Sequence, residues 1–349
     1  MRILFALTAA CCWLARAQEF TIVELPTPPA GTLVEEDAEN RHFVRALNDG
    51  GQVLADTMNT NYVDTHKFVF DGHRWEQVVL PFSDFYAIAM NNHCQVAGVY
   101  FPENGELGYR PFLWAHGKFE LLDIFPGESV SVRDINDKGE IVGEHSDPSM
   151  PPAFGFTCWR GRVQDLGTLG YKDVRLRCIN QKGQIAVAAS DGESVLALVG
   201  SPREGWTAMG SLGGLVTDPI GINDAGSVIG EAWLANDAAL HPFLYRDGQM
   251  QDLAVPEANW TSVLALNNRH EVLGNWTRIV DGRPEYHRFL YRDGNMLDLD
   301  SLLQQTGDGR RWKLITASAL NNESQIAGVG EVDGRRAFYI LSLKHWPSK

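Results

Sequence analysis

The sequence has few cysteines and, beyond its first residues, no long hydrophobic run. No segment after residue 17 approaches the roughly eighteen uninterrupted apolar residues that a membrane helix needs, so we expect no membrane anchor in the mature chain. Two of the five cysteines, Cys11 and Cys12, lie within the first seventeen residues. The other three are Cys94, Cys158 and Cys178, which show no zinc-ligand spacing and allow at most one disulfide; Cys158 with Cys178 is one such pairing.

Recognisable catalytic motifs are also missing. The chain contains no G-x-S-x-G nucleophile elbow, no zinc motif and no phosphate loop. Isolated acids such as Asp84, Glu103 and Asp308 are common in so acidic a chain, so no acid and base pair is distinguished. We therefore assign no catalytic residue and expect neither a metal nor a cofactor.

Basic residues are outnumbered, with 30 Lys and Arg against 44 Asp and Glu, which gives a formal net charge of -14. A surface this acidic gains nothing from counterion release on phosphates, which disfavours nucleic acid as a partner. The composition favours a solvated, monomeric protein in an extracellular setting.

The N-terminal segment MRILFALTAACCWLARA is typical of a signal peptide. It has an early Arg, a short apolar core and an Ala15-Arg16-Ala17 ending suited to signal peptidase, which predicts cleavage near Ala17 and a secreted or periplasmic protein. A lipoprotein signal at Cys11 or Cys12 is the alternative, but Thr8 stands where such signals usually carry Leu. The mature chain, residues 18–349, is expected to form one domain.

A recurring phrase organises the rest of the chain. A phrase of the form I/L-N-x-x-G-x-V-x-G recurs seven times with substitutions, and its asparagines follow one another at intervals of 43, 45, 44, 43, 44 and 54 residues. These asparagines are Asn48, Asn91, Asn136, Asn180, Asn223, Asn267 and Asn321. Such regular spacing is the signature of a repeat array with units of about 44 residues.

Each repeat carries a second phrase, clearest as HPFLYRDGQMQDL at His241 and HRFLYRDGNMLDL at His287. Both phrases read as strand, tight turn and strand, because Asn, Asp and Gly suit short hairpin turns. One repeat therefore holds four strands. The seventh repeat ends after Ala337–Leu343, whereas residues 19–26 resemble an unpartnered outer strand. Pairing these two segments predicts an all-β, seven-bladed β-propeller whose N-terminal strand completes the last blade.

The phrases resemble the HAF repeats, a family of bacterial repeat proteins that are expected outside the cell. INDAGSVIG followed by HPFLYRDGQMQDL carries the resemblance, and the segment from Asp165 to Gly170 is similar to the end of the family unit. Arg110, Phe154 and Arg336 replace the first His of the motif. The resemblance implies secretion but no biochemical activity.

Function is expected where the repeat pattern breaks, in the links opposite the repeated turns. These links are rich in aromatic residues, and we select five of them as candidate ligand contacts: Tyr100, Tyr109, Trp233, Trp276 and Tyr286. The residues predict a binding module for an extracellular polysaccharide or protein. The alternative is a glycoside hydrolase or lyase with carboxylates over the central channel.

The recurring histidines His66, His241 and His287 share one register within the repeat. Because they belong to separate blades, they are too far apart to bind one metal ion together. We expect them to pack or to form hydrogen bonds at strand ends.

Overall fold

The computed structural model describes residues 20–29, 41–58, 65–103, 108–147, 150–303 and 310–343. The signal peptide predicted at residues 1–17 lies outside these ranges. Within them, no helix is long and apolar enough to cross a membrane. The described chain is built almost wholly from short antiparallel strands, as the sequence predicts.

The first three repeats each form a four-stranded antiparallel sheet. Sheet 1 contains β2 (Arg41–Leu47), β3 (Val53–Met58), β4 (Thr65–Phe70) and β5 (Trp75–Val78). Sheet 2 contains β6 (Phe85–Met90), β7 (Val96–Tyr100), β8 (Arg110–Ala115) and β9 (Lys118–Leu121). Sheet 3 contains β10 (Ser129–Ile135), β11 (Glu140–Asp147), β12 (Met150–Trp159) and β13 (Arg162–Gly167).

The next three repeats follow the same order of strands. Sheet 4 contains β14 (Asp173–Ile179), β15 (Ile185–Ser190), β16 (Val195–Ser201) and β17 (Gly205–Ala208). Sheet 5 contains β18 (Gly213–Ile222), β19 (Val228–Leu234), β20 (Leu240–Arg246) and β21 (Gln249–Asp252). Sheet 6 contains β22 (Trp260–Leu266), β23 (Val272–Val280), β24 (Arg283–Arg292) and β25 (Asn295–Asp298). One parallel bridge, Val195 to Val216, joins sheets 4 and 5.

Sheet 7 combines both ends of the described chain. Its strands are β26 (Trp312–Leu320), β27 (Gln325–Val332), β28 (Arg335–Leu343) and β1 (Phe20–Glu24). Strand β1 pairs antiparallel with β28, from Phe20 opposite Leu343 to Glu24 opposite Tyr339. Glu24 also forms ion pairs with Arg310 and Arg335. The pairing lies where the sequence places it.

Within the described ranges, two short helical segments interrupt the strands. A 3-10 turn spans Ala235–Asp237, and α1 spans Leu299–Leu302. The Asp298 side chain accepts hydrogen bonds from the backbone of Asp300 and Ser301 and so caps the N-terminus of α1.

The core between sheets contains one large side chain from the third strand of most repeats. The phenylalanine two residues after the first position of the second phrase is fully buried in five of them: Phe68, Phe112, Phe156, Phe243 and Phe289. In sheet 7 the equivalent residue by strand pairing is Tyr339, which lies opposite Gly328 as Phe112 lies opposite Gly98 and comes three residues after Arg336. In the weaker fourth repeat it is Leu198. Fully burying such a side chain contributes about 1.5–3 kcal/mol. The second phrase is therefore repeated because each sheet needs this anchor.

Glycine ends the first phrase because the second strand passes close to a bulge in the first. At Gly98 an added Cβ would lie 2.1 Å from the carbonyl oxygen of Tyr86 and 2.7 Å from the Phe112 ring. No side chain fits there without displacing the backbone of β6.

The three cysteines within the described ranges do not pair. Cys94, Cys158 and Cys178 are all buried free thiols, so the disulfide between Cys158 and Cys178 that the sequence allows is not formed.

Candidate functional site

The repeated asparagines make hydrogen bonds within and between sheets. In every repeat the side-chain oxygen of the asparagine accepts a hydrogen bond from the backbone N–H four residues later, at 2.9 to 3.0 Å. Its Nδ2 donates to the backbone carbonyl of the corresponding asparagine in the next repeat, at 2.8 to 3.4 Å. The series runs from Asn48 to Asn321, and Asn321 donates back to Asn48. The sequence indicated the turn but not the bond between repeats.

A second series lies one residue further along. The backbone N–H of each residue after the asparagine donates to the side chain of its counterpart in the next repeat, at 2.7 to 2.9 Å. Its members are Asp49, Asn92, Asp137, Gln181, Asp224, Asn268 and Asn322. Both series surround one polar cavity of about 160 Å³. We call this side of the molecule the turn face; the donors and acceptors there already bond one another.

The opposite side, the link face, carries the five predicted ligand contacts. Four of them lie on strands rather than in loops: Tyr100 on β7, Trp233 on β19, Trp276 on β23 and Tyr286 on β24. Tyr109 directly precedes β8. The links that the sequence indicated are therefore partly extensions of the strands.

In sheet 2 the predicted tyrosines pack against other aromatic rings. Tyr100 stacks on Phe82, with ring centroids 4.2 Å apart. Tyr109 makes edge contacts with Tyr86 at 5.9 Å and Phe101 at 5.7 Å. Tyr100 also lines a groove of about 630 Å³. Both tyrosines are half-buried, so part of each ring serves packing.

The two predicted tryptophans are also half-buried. Trp276 stacks on His287 with centroids 3.8 Å apart and an angle of 5° between the rings. Trp233 lies against the backbone at Gly214, where an added Cβ would be 2.6 Å from the tryptophan Cβ. Neither ring is presented freely to solvent, so packing accounts for much of their surface.

Tyr286 is different because its side chain is exposed on a cleft. The residue is 63% exposed, and the cleft also holds Trp260, which is 61% exposed. Trp260 begins β22, at the far end of that strand from the Asn267 turn, which places it at the link face. The cleft measures about 400 Å³ and lies between sheets 6 and 7. Trp260 is not among the five aromatic residues selected from the sequence.

Polar groups line the same cleft. They come from Ser262, Asn275, Thr277, Thr316 and Ser318, while Leu264 and Ile315 supply apolar surface. Amide and hydroxyl groups beside exposed aromatic faces are suited to a ligand that has both hydroxyls and an apolar face. We call this the 6/7 cleft.

Arg288 fixes the floor of the 6/7 cleft. Its Nη1 donates to Asp300 Oδ1 at 3.2 Å and its Nη2 to the Ile315 carbonyl at 2.6 Å, which ties sheet 6 to sheet 7. Its backbone N–H donates to the other Asp300 oxygen at 2.9 Å. Burial raises the pKa of Asp300, and Arg288 opposes that shift. Arg288 is therefore held in place by the fold rather than offered to a ligand.

The recurring histidines contact the fourth strand of their own sheets. His241 Nδ1 lies 2.8 Å from Asp252 Oδ2, His66 Nδ1 lies 3.2 Å from Gln77 Nε2, and His287 Nδ1 lies 3.5 Å from Asp298 Oδ2. These are contacts at strand ends, as expected.

One grouping near His287 was not foreseen from the sequence. Ligand atoms of His287, Asp298 and Asp300 lie within 4.8 Å of one another, which is close enough for a metal ion. However, Arg288 occupies both oxygens of Asp300, and α1 occupies one oxygen of Asp298. These three residues therefore fit a hydrogen-bonded cluster better than a cation site.

Comparison with known proteins identifies the fold only. No family model matches the chain, and no curated protein does. A catalytically inactive variant of virginiamycin B lyase from Staphylococcus aureus, solved with quinupristin, superimposes with a TM-score of 0.56 at 10% identity, covering 93% of this chain and 99% of that one.

Two further structures are similar. The β-propeller domain of the Trilobed protease from Pyrococcus furiosus gives a TM-score of 0.55 at 8% identity, covering 86% of this chain and 93% of that one. YCF48 bound to D1 peptide gives 0.51 at 12% identity, covering 95% and 98%. Identities this low show the fold alone. The described chain is thus an all-β protein with a β-propeller fold and four-stranded sheets.

Proposed function

We propose that this chain is a secreted seven-bladed β-propeller that binds a polysaccharide in the 6/7 cleft. The ring of seven is supported by the regular repeat spacing, by the hydrogen bond that Asn321 returns to Asn48, and by the pairing of β1 with β28. Secretion is supported by the signal peptide expected at residues 1–17 and by the resemblance to HAF repeats.

The exposure of Trp260 and Tyr286 on one polar-lined cleft carries the functional proposal. Leaving two large aromatic side chains in water on a folded surface has no benefit for folding. Sugar rings stack on such faces, and their hydroxyls bond to amide and hydroxyl groups like those of Asn275, Thr277 and Ser262. The turn face offers less, because its polar groups bond one another.

A glycan array with the purified mature protein tests this function, followed by titration calorimetry on the best ligand. Trp260→Ala is expected to weaken binding by about 2 kcal/mol or more and to leave the melting temperature nearly unchanged. Trp159→Ala is the matched control, because Trp159 is a 44% exposed tryptophan on sheet 3, outside the cleft.

Equal losses from both substitutions, or none from Trp260→Ala, would contradict the proposed site. If the mature protein binds no glycan but binds a purified protein partner through Trp260, the ligand of the cleft is a protein and not a polysaccharide.

A glycoside hydrolase or lyase is the second candidate, and the pair Asp218 and Glu231 favours it. The two acids are direct cross-strand partners on sheet 5, and Arg177 holds Asp218 through two hydrogen bonds at 2.8 and 2.5 Å. Burial and the charge of Asp218 raise the pKa of Glu231, as a general acid requires. Depolymerisation of the bound glycan that Glu231→Gln abolishes without loss of binding would establish this activity.

A further inference from the structure

Seven side chains occupy one level of the first strands, three residues before the repeated asparagines. Each lies at or beside a register shift, so it leaves the regular pairing with the second strand. The residues are Arg45, Ile88, Arg133, Arg177, Ile220, Leu264 and Ser318. Since they hold the same place in every repeat, they surround the axis of the proposed ring at one height. We call them the axial level.

Arginines occupy the axial level in sheets 1, 3 and 4. Arg45 Nε lies 2.8 Å from Asp56 Oδ2, and Arg133 Nε lies 2.8 Å from Glu144 Oε2. Each acid stands eleven residues after its arginine, on the second strand of the same sheet. The acids are buried, at 5% and 4% exposure, whereas the arginine side chains are 46% and 38% exposed. The acid binds Nε, which leaves the two Nη groups of each guanidinium toward solvent.

The fold does not need these charges. Sheet 2 has Ile88 and Val99 at the two positions, and sheet 7 has Ser318 and Val329. A buried ion pair is often no more stabilising than an apolar pair of similar size.

The buried acids are also incompletely bonded. Asp56 Oδ1 and Glu144 Oε1 have no hydrogen-bond partner among the described residues. Burial raises the pKa of both carboxyl groups, although each faces an arginine. An arrangement that costs stability at two equivalent places is better explained by the orientation it gives the exposed guanidinium groups.

The axial level is continuous with the 6/7 cleft. Leu264 and Ser318 belong to both, so a ligand seated on Trp260 and Tyr286 reaches this level. Sheet 1, which carries Arg45, directly follows sheet 7 through the hydrogen bond from Asn321 to Asn48. An extended ligand therefore meets aromatic and polar surface on one side of the axis and guanidinium groups on the other.

We propose that the ligand is an acidic polysaccharide, with uronate carboxylates bound by Arg45 and Arg133; Arg177 is already held by Asp218 through Nε and Nη2. This proposal rests on the function proposed above and names its substrate class. A guanidinium fixed through Nε presents paired N–H donors that match a carboxylate, and such charge-assisted bonds are strong and geometrically specific.

The test compares hexagalacturonate with its fully methyl-esterified form, a neutral probe of the same length, by titration calorimetry on the mature protein. The acidic probe is expected to bind about tenfold more tightly or better. The double substitution Arg133→Ile with Glu144→Val copies sheet 2 and removes the guanidinium without leaving a buried charge. It is expected to reduce the preference for the acid, with Arg45 accounting for what remains, and to leave the neutral probe unaffected.

Arg74→Ile is the control, because Arg74 is an 83% exposed arginine in an outer turn of sheet 1. Equal affinity for the two probes, or a preference that the double substitution leaves unchanged, would overturn the acidic ligand. If the neutral probe binds and Trp260→Ala weakens that binding, the proposed polysaccharide-binding function holds without the acidic ligand. If the acid binds through Arg133 but ignores Trp260→Ala, the cleft proposal fails instead. Failure of both probes to bind at millimolar concentration overturns the uronate ligand.

Discussion

The turn face and the 6/7 cleft are built from the same repeats but use them in opposite ways. At the turn face all seven repeats contribute the same residue, and each buried asparagine bonds its own turn and the next. The cleft is formed by residues of sheets 6 and 7. Its exposed aromatic residues, Trp260 and Tyr286, do not recur in every repeat. Repetition builds the fold, and departures from it leave unbonded surface that the proposed ligand can use.

Removing β1 is expected to have the largest effect on stability. Deletion of residues 19–26 takes away the strand that pairs with β28 and the ion pairs of Glu24. We expect a loss of several kcal/mol in unfolding free energy or aggregation through the open edge. Urea unfolding and gel filtration measure both, with a chain beginning at Gln18 as the control. Equal stability of the two chains would contradict closure by β1.

Acid is expected to weaken the contact between sheets 1 and 7 through His42. This residue on β2 packs against Phe338 on β28, with ring centroids 5.2 Å apart, and burial lowers its pKa to about 4. His42 is protonated more readily in the unfolded chain than in the folded protein. The unfolding free energy is therefore highest above pH 6.5 and falls as the pH drops from 6.5 toward 4. The shift corresponds to about 3 kcal/mol.

Urea unfolding from pH 4 to 7 tests this dependence. His42→Gln should remove most of the slope between pH 4 and 6.5, while His73→Gln, an exposed turn histidine, should leave it. A slope that is the same in the wild type and in His42→Gln would assign the acid sensitivity to other groups.

The asparagine series is expected to contribute to stability but not to binding. Asn223→Ala leaves the N–H groups of Ala225 and Ser227 without their partner and removes one of the two hydrogen bonds to the Asn267 carbonyl, which should cost about 2 kcal/mol. Asn295→Ala in an outer turn should cost less than about 0.5 kcal/mol. Chemical unfolding and glycan titration of both variants separate the two effects. Lost ligand binding in folded Asn223→Ala would place function at the turn face.

Much of the fold could be predicted from the sequence, because the repeat spacing marks every hairpin and the unpartnered segment 19–26 implies a partner. The candidate site could be predicted only in part. The sequence alone does not show that Tyr286 is 63% exposed whereas Trp276 stacks on His287. Nor do they show that Arg45 meets Asp56, since that pair forms only after the hairpin sets its register. Exposure and contacts across strands depend on packing, which has no local signature.

Substitution of the two tryptophans of sheet 6 is expected to change the unfolding free energy least. The comparison separates a tryptophan that packs within the fold from one that is exposed to solvent. Trp276→Ala removes the half-buried ring stacked on His287 and should lower the unfolding free energy by about 1.5 kcal/mol. Trp260→Ala should change it by less than about 0.5 kcal/mol, because the side chain is 61% exposed. Thermal unfolding of both variants decides the order. The reverse order would mean that Trp260 is a packing residue.

The three free cysteines of the described chain allow local opening of the fold to be measured. Cys94, Cys158 and Cys178 lie in consecutive repeats, and burial raises the pKa of each thiol. A thiol that is both hidden and protonated reacts with an alkylating reagent only when its surroundings open. The labelling rate at each position therefore reports how often that repeat loosens, without any engineered probe. Comparing the three rates shows whether neighbouring blades open one at a time or all together.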